Sequence, residues 1–166
     1  MTIKLVIITI IFLTLSGCLE HAPIKTGFEG KALPSFTFLL ADTASSINTD
    51  SLNFEKPFVI FYFSPDCPYC RAQIRDIVKH NKELQNNKFL LITNYEKEQV
   101  QKVVKEFKIK DCKNIKVAID SKSSFINYYY IPNVPYLAIY DKEKKFRNAL
   151  IGRTDFKTIE QSLNAN

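Results

Sequence analysis

The chain has 166 residues, which is long enough for one domain with a substantial hydrophobic core. Hydrophobic residues make up 46% and charged residues 24%, a balance typical of a globular protein that excludes a disordered chain. The formal net charge is +6, but the lysines are scattered over predicted helices and turns, with no arginine-rich stripe and no basic strand interleaved with aromatic residues. The composition therefore favours a solvated basic surface over a nucleic-acid-binding one.

The first element in chain order is an apolar stretch over residues 5–15, preceded by the positive charge of Lys4. It is too short to span a bilayer, which takes about 20 apolar residues, and is predicted to be a signal peptide. The stretch ends in Leu-Ser-Gly-Cys, with the cysteine at position 18. This string resembles a bacterial lipobox, which implies removal of residues 1–17 and lipid attachment to Cys18. The alternative is an ordinary signal peptide followed by an unrelated cysteine.

Residues 18–33 are polar and mixed, and are predicted to tether the membrane to a domain over residues 34–166. Alternating side chains predict a strand at 35–39. The stretch 42–50 is rich in Asp, Thr, Ser and Asn and is predicted to be a connection made of turns. The continuous apolar run at 58–63 predicts a strand that is buried on both faces.

Helical and strand patterns alternate through the rest of the chain. They predict helices at 68–86, 96–107, 123–129 and from 154 or 155 onward, and strands at 88–93, 117–120, 136–140 and 146–151. Ser121 or Ser123 is the candidate cap of the third helix. The charged turn 141–145 predicts a hairpin between the last two strands. This order of elements predicts an α/β fold with a mixed sheet flanked by helices.

Two cysteines, Cys67 and Cys70, directly follow the strand at 58–63 and stand at the start of the first predicted helix. One helical turn places positions i and i+3 on the same face, so the two sulfurs can meet. The helix N-terminus favours negative charge, which predicts Cys67 as the thiolate nucleophile and Cys70 as the resolving thiol. Pro68 suits the first helical position, where a backbone N–H is not needed. The motif therefore predicts a redox-active thiol pair.

Two metal-binding interpretations compete with redox chemistry. A structural zinc site usually takes a second CxxC or a closely spaced pair of histidines, and Cys112, His21 and His80 do not have such a spacing. A copper(I) metallochaperone, with the CxxC pair as soft ligands, stays an alternative, although no histidine follows His80. We predict no metal and no organic cofactor.

Further along the chain from the strand, the CxxC motif and the helix that follows it, Val134-Pro135 precedes a predicted strand and Gly152 precedes the last predicted helix. Together these features resemble thioredoxin over about residues 34–164. The extra helix and strand ahead of Pro135, and the opening at residues 30–36, resemble the membrane-anchored TlpA/ResA branch of bacterial thiol–disulfide oxidoreductases. The resemblance implies a thioredoxin-like mixed sheet with an N-terminal β-hairpin and a central αβ insertion.

The same resemblance implies roles for residues around the thiol pair. The peptide bond before Pro135 should be cis, and Val134 should offer its backbone to a substrate strand next to the disulfide. Pro68 and Tyr69, between the cysteines, are expected to complete the substrate-binding surface. Tyr69 and Pro68 form a dipeptide that also occurs in glutaredoxins.

Three positions qualify this picture. Phe61 stands where thioredoxin has a buried acid six residues before the first cysteine, and Gln73 stands where the TlpA/ResA branch has a glutamate. No proton acceptor for Cys70 is therefore evident from the sequence. Cys112 lies in a polar segment and is expected to be a free thiol rather than a third redox cysteine.

These observations together predict a protein disulfide oxidoreductase that reduces or isomerises disulfides through its CxxC pair. It is expected to be lipid-anchored outside the cytoplasmic membrane of a bacterium, on the periplasmic side, where disulfides persist. The expected partners are client proteins with disulfides or thiols and an upstream membrane or soluble electron donor. A disulfide-donating oxidase stays an alternative, because the fold does not fix the direction of electron flow.

Overall fold

The computed structural model describes residues 24–165, so the predicted signal peptide and Cys18 lie outside the described residues. Seven strands follow one another in the chain as β1 (Thr37–Leu40), β2 (Ser46–Asn48), β3 (Phe58–Tyr62), β4 (Lys88–Thr93), β5 (Ile115–Ile119), β6 (Tyr136–Tyr140) and β7 (Phe146–Ile151). The helices are α1 (Pro68–Lys79), α2 (Lys97–Glu106), α3 (Ser124–Tyr129) and α4 (Phe156–Asn164). None of the helices in the described part of the chain is both long and apolar enough to cross a bilayer.

All seven strands form one mixed sheet in the order β2-β1-β5-β4-β3-β6-β7. The three strands β3, β4 and β5 are parallel, whereas β6 is antiparallel to β3 and β7 is antiparallel to β6. The pair β1–β2 is the N-terminal hairpin, and α2 with β5 is the inserted helix and strand. The thioredoxin-like α/β fold expected from the sequence is therefore confirmed.

Hydrophobic clusters cover both faces of the sheet. One cluster joins α1, α2 and α4 to the sheet through residues such as Ile74, Val100 and Ile159. The other lies beneath α3 and includes Phe125 and Tyr129. Because both faces are covered, all five residues of β3 are buried, which confirms the central strand predicted from its continuous apolar run.

The connections place one crevice beside the end of β3. The chain passes from β3 through α1 to β4 and through α2 to β5, and then returns across β3 to β6 by way of α3 on the opposite face. Such a reversal of strand order opens a crevice at the carboxyl ends of the parallel strands, where α/β proteins place their sites. We call this end of the sheet the upper end and the opposite end the lower end.

Some element boundaries differ from the sequence prediction. A strand, β2, lies inside the stretch 42–50 predicted as turns, because the pairing of Phe38 with Ile47 closes a hairpin that its Ser and Asn residues do not signal. The helix predicted to reach residue 86 ends at Lys79. Beyond it, the side chain of Asn114 donates to the carbonyl of Leu84 and stabilises a turn instead. The strand predicted at 117–120 begins earlier, at Ile115.

The cap of α3 also differs from the prediction. Ser123 precedes the helix, but its side chain makes no capping hydrogen bond. The buried carboxylate of Asp120 takes this role, because it accepts hydrogen bonds from the backbone N–H groups of Ser124 and Phe125 at 2.9 and 2.8 Å. The hydroxyl of Ser124 donates a third bond to it at 2.8 Å. These donors compensate the loss of hydration of the buried carboxylate.

The segment 24–33, predicted as part of a tether, packs against the domain. Ile24 pairs with Ala149 of β7, and Ala32 pairs with Lys145 just before β7. The ring centroid of Phe28, in the same segment, lies 4.8 Å from that of Tyr129 in α3. The folded body therefore extends at least to Ile24, and a tether stays a prediction only for the residues before it.

Replacement of Asp120 should destabilise the fold. Asp120→Ala leaves two backbone N–H groups at the start of α3 without their acceptor, and we expect a loss of about 2–4 kcal/mol in the free energy of unfolding. Urea denaturation followed by circular dichroism measures this loss, with Asp42→Ala at an exposed turn as the control. An equal, small effect of both substitutions would contradict the capping role.

Candidate active site

The two cysteines of the CxxC motif lie at the upper end of the sheet, where β3 leads into α1. Cys67 is the N-cap residue of α1 and Pro68 occupies its first turn, as the sequence predicts. The Cys67 sulfur accepts a hydrogen bond from the backbone N–H of Cys70 at 3.5 Å. Both thiols are free in this structure. The start of α1 thus presents a backbone N–H donor to the Cys67 sulfur.

The two thiols differ in burial. Cys67 is partly exposed, whereas Cys70 is completely buried on the inner face of α1. Burial raises the pKa of Cys70 to about 12, and a hydrogen bond with the neighbouring Cys67 adds to the rise. A hydrogen bond with the backbone of Ser64 opposes these effects in part. In the reduced protein, Cys70 is therefore a protonated thiol at neutral pH, and Cys67 is the sulfur that a substrate can reach first.

Val134 and Pro135 lie directly beside Cys67. The Val134–Pro135 peptide bond is cis, as predicted. The Cys67 thiol lies 3.8 Å from the carbonyl oxygen of Val134, to which it can donate a weak hydrogen bond. The structure thus brings together the thiol pair and the Val-Pro segment from positions that are 67 residues apart in the chain.

The residues between the cysteines face solvent. Tyr69 is 65% exposed, and Pro68 is also exposed. Both lie in the first turn of α1, next to the partly exposed Cys67. Their location fits a surface that a substrate could contact, and their part in substrate binding stays a prediction.

Gln73 has a structural role that the sequence did not reveal. Its side chain is fully buried one turn after Cys70, and its Oε1 accepts a hydrogen bond from the backbone N–H of Thr154 at 2.7 Å. In the same loop, the N–H of Gly152 donates to the carbonyl of Pro135 at 2.8 Å. Gln73 therefore connects α1 to the loop that holds the Val-Pro segment. The helical phase of Gln73 indicates that it is buried, but it does not indicate which group it contacts.

The position that holds an acid in thioredoxin is apolar here. Phe61 is completely buried in β3, and its ring centroid lies 5.8 Å from that of Phe63. No carboxylate therefore stands at this position to take a proton from Cys70. The structure agrees with the sequence that a proton acceptor of the thioredoxin type is missing at this place.

Cys112 lies apart from the thiol pair. It follows a short 3-10 turn at Ile109–Asp111 and precedes β5, at the lower end of the sheet. Burial raises the pKa of Cys112, and the charge of Asp111 raises it further. Among residues 24–165, no group of three or more His, Cys, Asp or Glu side chains is arranged to hold a metal ion.

Residues 28–158 match the family described as Redoxin, a match that includes the CxxC pair and Pro135. The chain belongs to the Redoxin family. With its fold and its intact CxxC pair, this redoxin is a thioredoxin-like oxidoreductase. No curated protein sequence matches it significantly.

Solved structures of bacterial thiol–disulfide oxidoreductases share the fold of this redoxin. DsbF from MTB is 18% identical with a TM-score of 0.67, and the similarity covers 78% of this chain and 93% of that chain. A secreted Mycobacterium tuberculosis disulfide oxidoreductase homologous to E. coli DsbE is 19% identical with a TM-score of 0.62, covering 76% and 91%. StoA from Bacillus subtilis is 18% identical with a TM-score of 0.58, covering 78% and 96%.

The difference in burial between the thiols should appear in their alkylation. At pH 8, iodoacetamide should modify Cys67 of the reduced protein at least about 100-fold faster than Cys70, because only Cys67 is accessible and thiolates are the reactive form. Cys70 in the Cys67→Ser variant should stay unmodified up to pH 9, since burial raises its pKa. Mass spectrometry of peptides measures both rates, and the urea-unfolded protein, where the rates should be equal, is the control. Faster modification of Cys70 would reverse the two roles.

Proposed function

We propose that this redoxin reduces or isomerises protein disulfides outside the cytoplasmic membrane, where lipid on Cys18 anchors it. The observation that carries the redox part is the asymmetry of the thiol pair. Cys67 is partly exposed at a helix start, and Cys70 is buried one turn later. The resemblance of residues 15–18 to a lipobox supports the anchor. One neighbour of similar fold is a secreted disulfide oxidoreductase, which is compatible with a location outside the cytoplasm.

The proposed reaction transfers two electrons from the thiol pair to a client disulfide. The Cys67 thiolate attacks one client sulfur, the client S–S bond breaks, and a mixed disulfide forms while the other client sulfur leaves as a thiolate. Cys70 then loses its proton and attacks the Cys67 sulfur, which releases the second client thiolate and leaves a Cys67–Cys70 disulfide. An upstream electron donor reduces this disulfide again. Isomerisation uses the first step and its reversal.

Loss of the proton from Cys70 is the demanding step of this mechanism. Burial raises the pKa of Cys70, and Phe61 stands where an acid could have accepted the proton. The first client thiolate leaves within the same site and is the base that the reaction itself supplies. We therefore propose that the departing client sulfur, rather than a side chain of the protein, takes this proton.

The client is proposed to bind across the upper end of the sheet. Val134 would offer its backbone to an extended client segment, while Pro68 and Tyr69 would contact its side chains. The exposed ring of Tyr69 supports this role, since an exposed aromatic side chain beside a reactive sulfur can bury apolar client surface. The hydrogen bond of Gly152 with Pro135 supports a fixed position for the Val-Pro segment.

A trapping experiment tests the redox function. We expect Cys70→Ser to accumulate mixed disulfides with clients, because nothing resolves the bond to Cys67, and Cys67→Ser to form none. Cys112→Ser is the matched control and should keep the full rate of insulin disulfide reduction. Non-reducing electrophoresis of membrane extracts measures the adducts. The mechanism would be contradicted if only Cys67→Ser formed adducts, or if a variant that lacks both Cys67 and Cys70 kept full activity.

Redox equilibration of the protein with glutathione, together with the redox state of the thiol pair in cells, tests the direction of electron flow. The proposal expects a potential of roughly −200 to −230 mV, as in glutaredoxins, and a pair that is mainly reduced in cells. A potential near −120 mV, as in DsbA, with a mainly oxidised pair would make the protein a disulfide donor.

Cell fractionation tests the anchor separately. Cys18→Ala should move the protein from the membrane fraction to the soluble extracytoplasmic fraction, because a lipid cannot be attached to alanine. Its rate of disulfide reduction in solution should stay unchanged, since the substitution leaves Cys67, Cys70 and the Val-Pro segment intact. Metabolic labelling with a fatty acid gives the direct readout in the unsubstituted chain. Retention of Cys18→Ala in the membrane fraction would contradict the anchor.

A further inference from the structure

Positive charge is concentrated at the lower end of the sheet, away from the thiol pair. The two stretches that lead into β4 and β5, residues 79–88 and 105–116, contain eight lysines and three acidic residues. One of these acids, Glu106, already pairs with Arg71. The connections of the upper end, at 63–68, 94–97, 120–124, 130–135 and 152–155, contain three basic and four acidic residues. The other connections of the lower end, at 41–45, 52–57 and 141–145, add four lysines and four acidic residues, so the connections of the lower end carry a net charge of +5 and those of the upper end −1.

The lysines of the lower end are available to a partner. All eight are exposed, and none of them forms an ion pair within residues 24–165. We call this set the lysine end; it comprises Lys79, Lys82, Lys88, Lys105, Lys108, Lys110, Lys113 and Lys116. Such a set of unpaired cations on one side of a domain attracts an extended anionic surface.

Part of the lysine end surrounds an open apolar cleft. Lys88, Lys113 and Lys116 lie at a cleft of about 580 Å³, and no acidic residue is among its described lining residues. The apolar lining consists of Leu40, Ile47, Leu52, Phe54, Phe89 and Leu90. Apolar surface beside cationic side chains is the combination that peripheral proteins use at the interface of an anionic bilayer.

The position of the proposed lipid brings a bilayer within reach of this end. Ile24 pairs with Ala149, which the sheet register places level with Ile60, the middle residue of β3. Six residues from Cys18 to Ile24 span at most about 20 Å. Each end of β3 lies two residues, or about 7 Å, from this level. Segment 24–32 runs antiparallel to β7, so the chain reaches Ile24 from the direction of the upper end. A connection of up to about 20 Å is nevertheless long enough to turn back past the roughly 7 Å to the lower end. The length therefore permits either orientation, and the charge distribution decides between them.

We propose that the lysine end docks on an anionic lipid bilayer and holds the CxxC end away from it. The proposal rests on the lipid anchor of the proposed function, because the anchor keeps a bilayer within reach. Acidic proteins and nucleic acid are the other anionic partners that the lysine end could bind, but the anchor would not keep either of them next to the domain. In the docked orientation, Cys67 faces the aqueous phase and meets clients that approach from solution.

Vesicle binding of an unlipidated chain tests the surface without the anchor. The mature chain, residues 18–166 with Cys18→Ser, contains all the described residues and should bind vesicles that contain phosphatidylglycerol but not vesicles of phosphatidylcholine alone. Raised ionic strength should release it, because charge attraction at a membrane is screened. The double substitution Lys113→Glu, Lys116→Glu should lower the partition coefficient at least about 25-fold. Each lysine near an anionic membrane contributes a factor of about five to the partition coefficient, and two such factors multiply.

The matched control carries the same change of charge at the upper end. Lys97→Glu with Lys122→Glu should lower the partition coefficient by less than about threefold, since these residues face away from the bilayer in the docked orientation. Cys67 should be alkylated at the same rate on phosphatidylglycerol vesicles as in solution. The proposal would be overturned if both pairs of substitutions lowered the partition coefficient equally. It would also be overturned if the chain with all its lysines did not bind phosphatidylglycerol vesicles, or if vesicle binding slowed the alkylation of Cys67. A failed anchor would appear instead in the fractionation of Cys18→Ala.

Discussion

Complete burial of β3 is the constraint on which the rest of the structure depends. The strand lies between β4 and β6 and is covered on both faces, so every one of its residues is apolar or aromatic. Its apolar run ends at Phe63, and the following turn must reach the surface before α1 begins. Cys67 is partly exposed because it ends this turn. Cys70 is buried because α1 packs back on the sheet, in the same cluster as Val59 and Phe61 of β3.

The same burial raises the pKa of the Cys70 thiol. Cys70 faces the interior, where the loss of hydration disfavours its thiolate. Phe61 in β3 places a buried ring, not a carboxylate, at the position of the thioredoxin acid, so it provides no base. The site therefore exposes one sulfur and buries the other. In the proposed mechanism, the buried sulfur reacts only after a mixed disulfide has formed next to it. This arrangement links the order of the two chemical steps to the packing of the core.

The sequence predicted the features that depend on neighbouring residues and missed those that depend on distant ones. The apolar run of β3, the CxxC at a helix start and the cis Val134–Pro135 bond were all predicted, the last from a resemblance. The hydrogen bond between Gln73 and Thr154 joins positions 81 residues apart, and no local pattern encodes it. At α3, Ser123 occupies the N-cap position as predicted, but its side chain does not cap the helix. The carboxylate of Asp120 accepts the hydrogen bonds of the free N–H groups instead. The packing of residues 24–33 was missed because their pairing partners lie in β7 and just before it, at the far end of the chain.

The short pairing between β1 and β5 has a further consequence for solubility. β1 pairs with β5 only at Ile119 and Ala118, and one more backbone bond joins Ala41 to Val117. Within the described residues, the beginning of β5 is therefore a free strand edge, where another chain could add itself and start aggregation. Lys116 stands in this stretch with an exposed, charged side chain, and Lys113 lies just before it. A second strand that approached this edge would have to bury the charge of Lys116, so the lysine disfavours edge-to-edge association.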